Sequence, residues 1–142
     1  MLSKKASVQM TNTVAVGKAT LGGNTDGDYN VAIGQNAAQS ITTGSQNIAI
    51  GFNALNKSVA AVYNIAIGNN ALKESVSGGS NTAVGWQALT TNTTGANNVA
   101  VGANALDANT TGQLNVAIGY NALTCLLYTS PSPRDATLSR MP

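Results

Sequence analysis

Residues 98–119 read NVAVGANALDANTTGQLNVAIG, and the last five letters nearly repeat the first five after an interval of 17 residues. That interval runs through most of the chain. Gly17, Gly34, Gly51, Gly68, Gly85, Gly102 and Gly119 fall every 17 residues without a slip. Ala stands two residues before each, from Ala15 to Ala117, and Val or Ile stands immediately before. Four residues before the Gly is Asn in six copies (Asn30, Asn47, Asn64, Asn81, Asn98 and Asn115), with Thr13 in the first. Asn-Ala-Leu follows the Gly, most clearly at Asn53-Ala54-Leu55 and Asn104-Ala105-Leu106. A second Gly closes most units: Gly27, Gly44, Gly78, Gly95 and Gly112. The consensus is N-V-A-I-G-x-N-A-L-x-x-x-T-T-G-x-x.

A unit this short excludes helical repeats, which need about 33 residues to hold two packed helices. Asn-Val-Ala-Ile-Gly alternates with period 2, a strand pattern. The Gly ends the strand where a positive φ or a tight bend is needed. Thr-Thr-Gly and its variants supply a second turn. One unit cannot bury its Val, Ile and Leu alone. Stacked units can, each position lying above its equivalent at the ~4.8 Å strand spacing. The repeat therefore predicts an all-β fold, a parallel β-solenoid or β-roll of about seven coils, roughly 33 Å long.

The two strand faces are expected to differ in role. Val31 and Ile33 point one way, Asn30 and Ala32 the other. We expect the Val/Ile face to fill a narrow interior with a Leu column (Leu21, Leu55, Leu72, Leu89, Leu106 and Leu123). Ala38 replaces Leu in the second unit and is expected to leave that coil thin. The Asn column should form a ladder of side-chain amides along the stack. Ala between the Asn and Gly columns would keep the second face flat, so that identical subunits could dock there.

Composition narrows the function classes. Ala, Asn, Thr and Gly make up half of the 142 residues; charged residues are 8% and aromatics 4%. The sequence has no His, which removes the usual general base and the commonest metal ligand. A formal charge of +2, dispersed along the chain, does not point to nucleic acid. No apolar run approaches the roughly 20 residues of a membrane helix. The basic residues of Met1-Leu2-Ser3-Lys4-Lys5 have no apolar stretch behind them, so no signal peptide is read there. The single Cys125 gives neither a disulfide framework nor a cysteine metal site. No cofactor, metal site or catalytic residue is expected.

The Asn-Val-Ala-Ile-Gly unit resembles the head repeats of trimeric autotransporter adhesins, and also repeat tracts of bacteriophage tail fibres. The resemblance covers residues 12–124. It implies a left-handed β-roll, assembly as a homotrimer, and an extracellular place on a bacterial surface or virion tail. It further implies binding to a host cell-surface protein or glycan, without membrane insertion by this segment. The strict 17-residue period is longer than the adhesin pattern. Neck, coiled-coil stalk, barrel anchor and chaperone domain are absent, which leaves adhesin and fibre both open and reads as a fragment.

Three segments follow: a lead-in over 1–11, the repeat domain over 12–124 and a tail over 125–142. The period stops after Thr124, and all three prolines, Pro131, Pro133 and Pro142, fall in the tail. The tail is similar to translated sequencing-adapter read-through, and it is set aside from the fold.

Candidate chemistry is sparse. A polysaccharide-cleaving tailspike would need two carboxylates roughly 5–10 Å apart; Glu74 and Asp107 lie two coils apart but at adjacent rather than equal slots. Asn24-Thr25-Asp26-Gly27-Asp28 has calcium-like oxygen donors, yet it does not recur and reads as an ordinary turn. Thr42-Thr43, Thr93-Thr94 and Thr110-Thr111 raise an ice-binding surface, against which adjacent strand residues point to opposite faces. The residue after each strand Gly is the most varied: Lys18, Gln35, Phe52, Asn69, Trp86, Ala103 and Tyr120. Phe52, Trp86 and Tyr120 recur every second coil, about 10 Å apart, and suit sugar or protein contacts or cover a corner of the roll. The expected function is structural display of multivalent host contacts. A tailspike fragment and an ice-binding solenoid are the alternatives.

Overall fold

The computed structural model describes residues 11–124. Cys125, the rest of the tail and nearly all of the lead-in lie outside the described residues. Among the described residues, seven three-residue strands form one parallel sheet in sequence order: β1 (Val14–Val16), β2 (Val31–Ile33), β3 (Ile48–Ile50), β4 (Ile65–Ile67), β5 (Thr82–Val84), β6 (Val99–Val101) and β7 (Val116–Ile118). Register is constant, with Val31 opposite Ile48, Ala32 opposite Ala49 and Ile33 opposite Ile50. The chain is thus an all-β parallel solenoid of about six turns, with no helix among the described residues. Coils are numbered here 1 to 7 by the strand they contain.

The strand is short because the Gly column ends it. These glycines hold φ between 127° and 138°, a region closed to L side chains. A Cβ on Gly34 would also lie 2.7 Å from the Gly51 carbonyl oxygen of the next coil. Beyond the Gly, the backbone alternates through left-handed residues such as Asn53 (φ 55°) and Leu55 (φ 52°). That conformation costs an L residue roughly 1–2 kcal/mol, least for Asn. Leu55 bears it because its side chain is fully buried. Even these turns bond to the coil above: the Leu55 and Leu72 amides donate to the Ala71 and Ala88 carbonyls at 3.0 Å. Backbone pairing therefore continues round the lap, which a chain with three-residue strands requires.

The assignment of the two strand faces is the reverse of the expectation. Ala32, Ala49, Ala66, Ala83 and Ala100 are completely buried, and so, nearly, are Asn30, Asn47, Asn64, Asn81 and Asn98. Val31 and Ile33, with their equivalents, point outward. Ala37, Ala54, Ala71, Ala88 and Ala105, with the Leu column up to Leu106, face the Ala column across the interior. Volume and hydrogen bonding decide the matter. The bore between walls is narrow, and the inner strand face must also satisfy turn carbonyls. Asn does both: its amide nitrogen donates to the carbonyl of the Gly that closes its own lap, Gly44 (from Asn30, 2.8 Å), Gly78 (Asn64, 2.9 Å) and Gly112 (Asn98, 2.7 Å). Val at that position would leave buried acceptors unpaired. The flat Ala/Asn face accordingly cannot be a docking seam, because it is interior.

Coil 2 is not thin either. Ala38 is buried beside Ile41, and Ile41 stands where other coils carry Asn24, Ser58, Ser75, Asn92 or Asn109. Leu123, in the last described coil, is exposed rather than core.

Candidate interaction surface

Outside the sheet, two columns run the length of the stack. One is Val14, Val31, Ile48, Ile65, Thr82, Val99 and Val116; the other is Val16, Ile33, Ile50, Ile67, Val84, Val101 and Ile118. Thr82 is the one residue of the fourteen that is not aliphatic. All are half-buried or exposed, because each covers its neighbour above and below and none of the other described residues covers them from outside. At about 33 Å by the roughly 10 Å of a three-residue strand, this face is on the order of 300 Å². It falls within the range of contiguous patches associated with interaction sites.

The face has two flanks. On one side is the column after the strand Gly, where Phe52, Trp86 and Tyr120 are exposed as a surface column. On the other is the column just before the inner Asn: Asn12, Tyr29, Gln46, Tyr63, Ser80, Asn97 and Leu114. Tyr29 and Tyr63 are 55% and 58% exposed and escape a sequence reading, because they share their column with five non-aromatic residues. Both hold left-handed backbone, φ 57° and 61°, where Asn or Gly would be easier. The only charged residue in these four columns is Lys18.

Beneath the face the inner Asn residues form one continuous ladder. Asn47 donates both its backbone amide (3.0 Å) and its side-chain amide (3.1 Å) to Oδ1 of Asn30. Asn64, Asn81, Asn98 and Asn115 each repeat this toward the coil before. A second, half-buried ladder links Asn36 to Asn53 and Asn53 to Asn70, at left-handed positions of the far turn. The inner ladder holds β2 to β7 at one azimuth, which keeps the outer columns straight.

The remaining candidates sit apart from this surface. Glu74 is clasped by Lys57 and Lys73. The Lys57 hydrogen bond holds its carboxyl below the usual Glu range, the opposite of the raised value a general acid needs. Asp107 has one buried carboxylate oxygen without a partner. Asn24 closes its own turn, with Nδ2 donating to the Gly27 carbonyl and Oδ1 accepting from the Gly27 amide. The Thr11 side chain and, at 3.1 Å, the Thr11 amide both hydrogen-bond to Asp28 and hold its carboxyl below the usual Asp range. Among the described residues no three acidic, His or Cys side chains cluster as a metal site requires. Thr110 and Thr111 are both exposed, so the alternation expected of that pair does not hold: it lies in a turn, not a strand. The Thr42 and Thr93 hydroxyls donate to the Val59 and Thr110 carbonyls of the next coil.

The fold defines a parallel β-solenoid with one apolar wall and no helix, among the described residues, that is long and apolar enough to cross a membrane. Comparison with protein-family models, curated proteins and solved structures finds no match to the chain.

Proposed function

We propose that this chain is a structural and binding segment of an extracellular homotrimer, an adhesin head or a phage tail fibre. The observation that carries the reading is the aliphatic wall, seven layers tall, uninterrupted except at Thr82 and free of charge. Three such walls turned toward a common axis bury one another and leave the turns outside. The charged turn residues Lys57, Lys73 and Glu74 then face the medium. The resemblance of the repeat to adhesin heads and tail fibres supports three copies and a host-surface role. Trimerisation multiplies weak contacts with a host protein or glycan through effective concentration.

Sedimentation equilibrium of the full chain tests this. A species of three times the 14.3 kDa chain mass supports the proposal, and a stable monomer at micromolar concentration sinks it.

A further inference from the structure

The two flanks of the apolar wall carry their aromatic residues in alternate layers. Coil 2 has Tyr29 on the leading edge and Gln35 on the trailing edge; coil 3 has Gln46 and Phe52. Coil 4 has Tyr63 and Asn69, and coil 5 has Ser80 and Trp86. From coil 2 to coil 5 every layer holds one ring, and the side switches each time. Coil 6 holds none, with Asn97 and Ala103, and coil 7 carries both Leu114 and Tyr120.

Nothing among the described residues accounts for this. The flanks lie at opposite ends of the strand, more than about 13 Å apart, so a ring on one edge does not meet the residue on the other. Rings on the same edge lie two layers apart, about 10 Å, beyond the roughly 4.5–7 Å at which aromatic rings stack. The rings stand 42% to 58% exposed in coils 2 to 5. Tyr29 and Tyr63 do so on left-handed backbone that disfavours them. Cyclic symmetry about an axis parallel to the stack changes the geometry. It brings the leading edge of one copy against the trailing edge of the next, layer on layer.

We infer that the corners of the assembly are closed by an interdigitated aromatic zipper between neighbouring copies of this chain. Tyr63 of one copy enters the gap between Phe52 and Trp86 of the next, and Tyr29 stacks below Phe52. The four rings form one column with a rise of about 4.8 Å per ring, within stacking range. Each ring faces the smaller or polar residue of its own layer: Gln35, Gln46, Asn69 or Ser80. The alternation is thus a register device, because a slip of one layer sets ring against ring and leaves gaps between. The inference rests on the trimeric reading above and specifies which residues set its alignment.

The test places cysteines across the corner in the full chain, in a Cys125→Ser background. Tyr63→Cys with Asn69→Cys puts both thiols in one layer, and oxidation should close rings of three chains on a non-reducing gel. Tyr63→Cys with Trp86→Cys, one layer out, should cross-link at least several-fold less. Equal or reversed efficiency overturns the zipper. Trp86 is the only Trp, so its emission reports the same corner without cysteines. It should shift to the blue in the assembled state and return to the red on dilution. Tyr63→Asn should raise the dissociation midpoint roughly tenfold. If the chain sediments as a trimer while Trp86 keeps a water-exposed spectrum, the zipper fails and the trimeric reading stands. If it sediments as a monomer, that reading fails first. Loss of glycan binding in Trp86→Ala with an unchanged dissociation midpoint would assign these rings to a ligand instead and overturn the inference.

Discussion

Two residues per coil carry the lap. Asn64 is fully buried and engages three groups: the Asn47 side chain below, the Gly78 carbonyl of the turn that closes its lap and the Asn81 amides above. Replacing it with Ala removes all three and strands buried donors and an acceptor, each costing about 1–3 kcal/mol. Asn64→Ala should therefore lower unfolding stability by at least ~2 kcal/mol in a denaturant titration. Gly68 holds φ 138°, and a Cβ there would sit 2.3 Å from the Gly85 carbonyl oxygen. The clash is with backbone of the next coil, so no side-chain rotamer relieves it. Gly68→Ala should be worse than Asn64→Ala, and equal or greater stability in the Ala variant would contradict the backbone account.

At the scale of the coil, the second turn depends on its inner corner residue. Asn92 donates to the Gly95 carbonyl at 2.9 Å, and Asn109 donates both to Asn92 Oδ1 and to Gly112. Ser58 and Ser75 occupy the same corner in coils 3 and 4, fully buried, with hydroxyl oxygens that have no partner. An unpartnered buried hydroxyl is costly, and removing it is close to neutral or favourable. Ser75→Ala should leave the thermal midpoint unchanged or raise it, whereas Ser75→Asn should raise it by supplying the turn bonds seen at Asn92. A clear drop in both variants would show that this corner packs differently. This corner was not legible in the sequence, since Asn, Ile and Ser share no obvious property along one column. The strand and its Gly were legible, because a backbone constraint imposes one residue type in all seven copies. Which strand face points inward was not, because period-2 alternation is symmetric. Val and Ile are the larger apolar residues of the strand, but it is the Asn-bearing face that satisfies the turn carbonyls. Phe52, Trp86 and Tyr120 stood out because they follow an invariant Gly; Tyr29 and Tyr63 gained meaning only once opposite edges of the wall could be compared layer by layer.

At the scale of the whole molecule, acid and assembly act on different surfaces. The Glu74 and Asp28 carboxyls are both held below their ordinary values by hydrogen bonds, from Lys57 and Thr11 respectively. Folding thus favours their ionised forms. The contribution is present above the ordinary carboxylate range near pH 4, and it fades as pH falls through the lower folded values. Both groups are on the surface, so the effect is small. With no His in the sequence, the thermal midpoint should be flat from about pH 5 to 8 and decline below about 4. A midpoint that moves between pH 5 and 8 would point to a titrating group other than these.

The wall itself separates folding from assembly through two neighbouring residues. Ala66 is completely buried, while Ile67 points outward and is 36% exposed. Enlarging Ala66 to Val pushes two methyl groups into the bore against Ala and Leu of the facing wall, and overpacking of this kind costs about 1–3 kcal/mol. Ala66→Val should therefore lower the unfolding midpoint of a single chain, whether or not it is assembled. Ile67→Glu leaves the bore untouched and forfeits only partial aliphatic cover. In a trimer, however, it sets three carboxylates around one axis in an apolar setting, where unpaired charge is expensive. Ile67→Glu should keep the β-type circular dichroism of the parent and sediment as a monomer. Were the faces arranged the other way, with Val and Ile inside, the outcomes would exchange: Ile67→Glu would abolish the fold and Ala66→Val would spare it. Circular dichroism and sedimentation of these two variants thus decide the inward face and the docking face together.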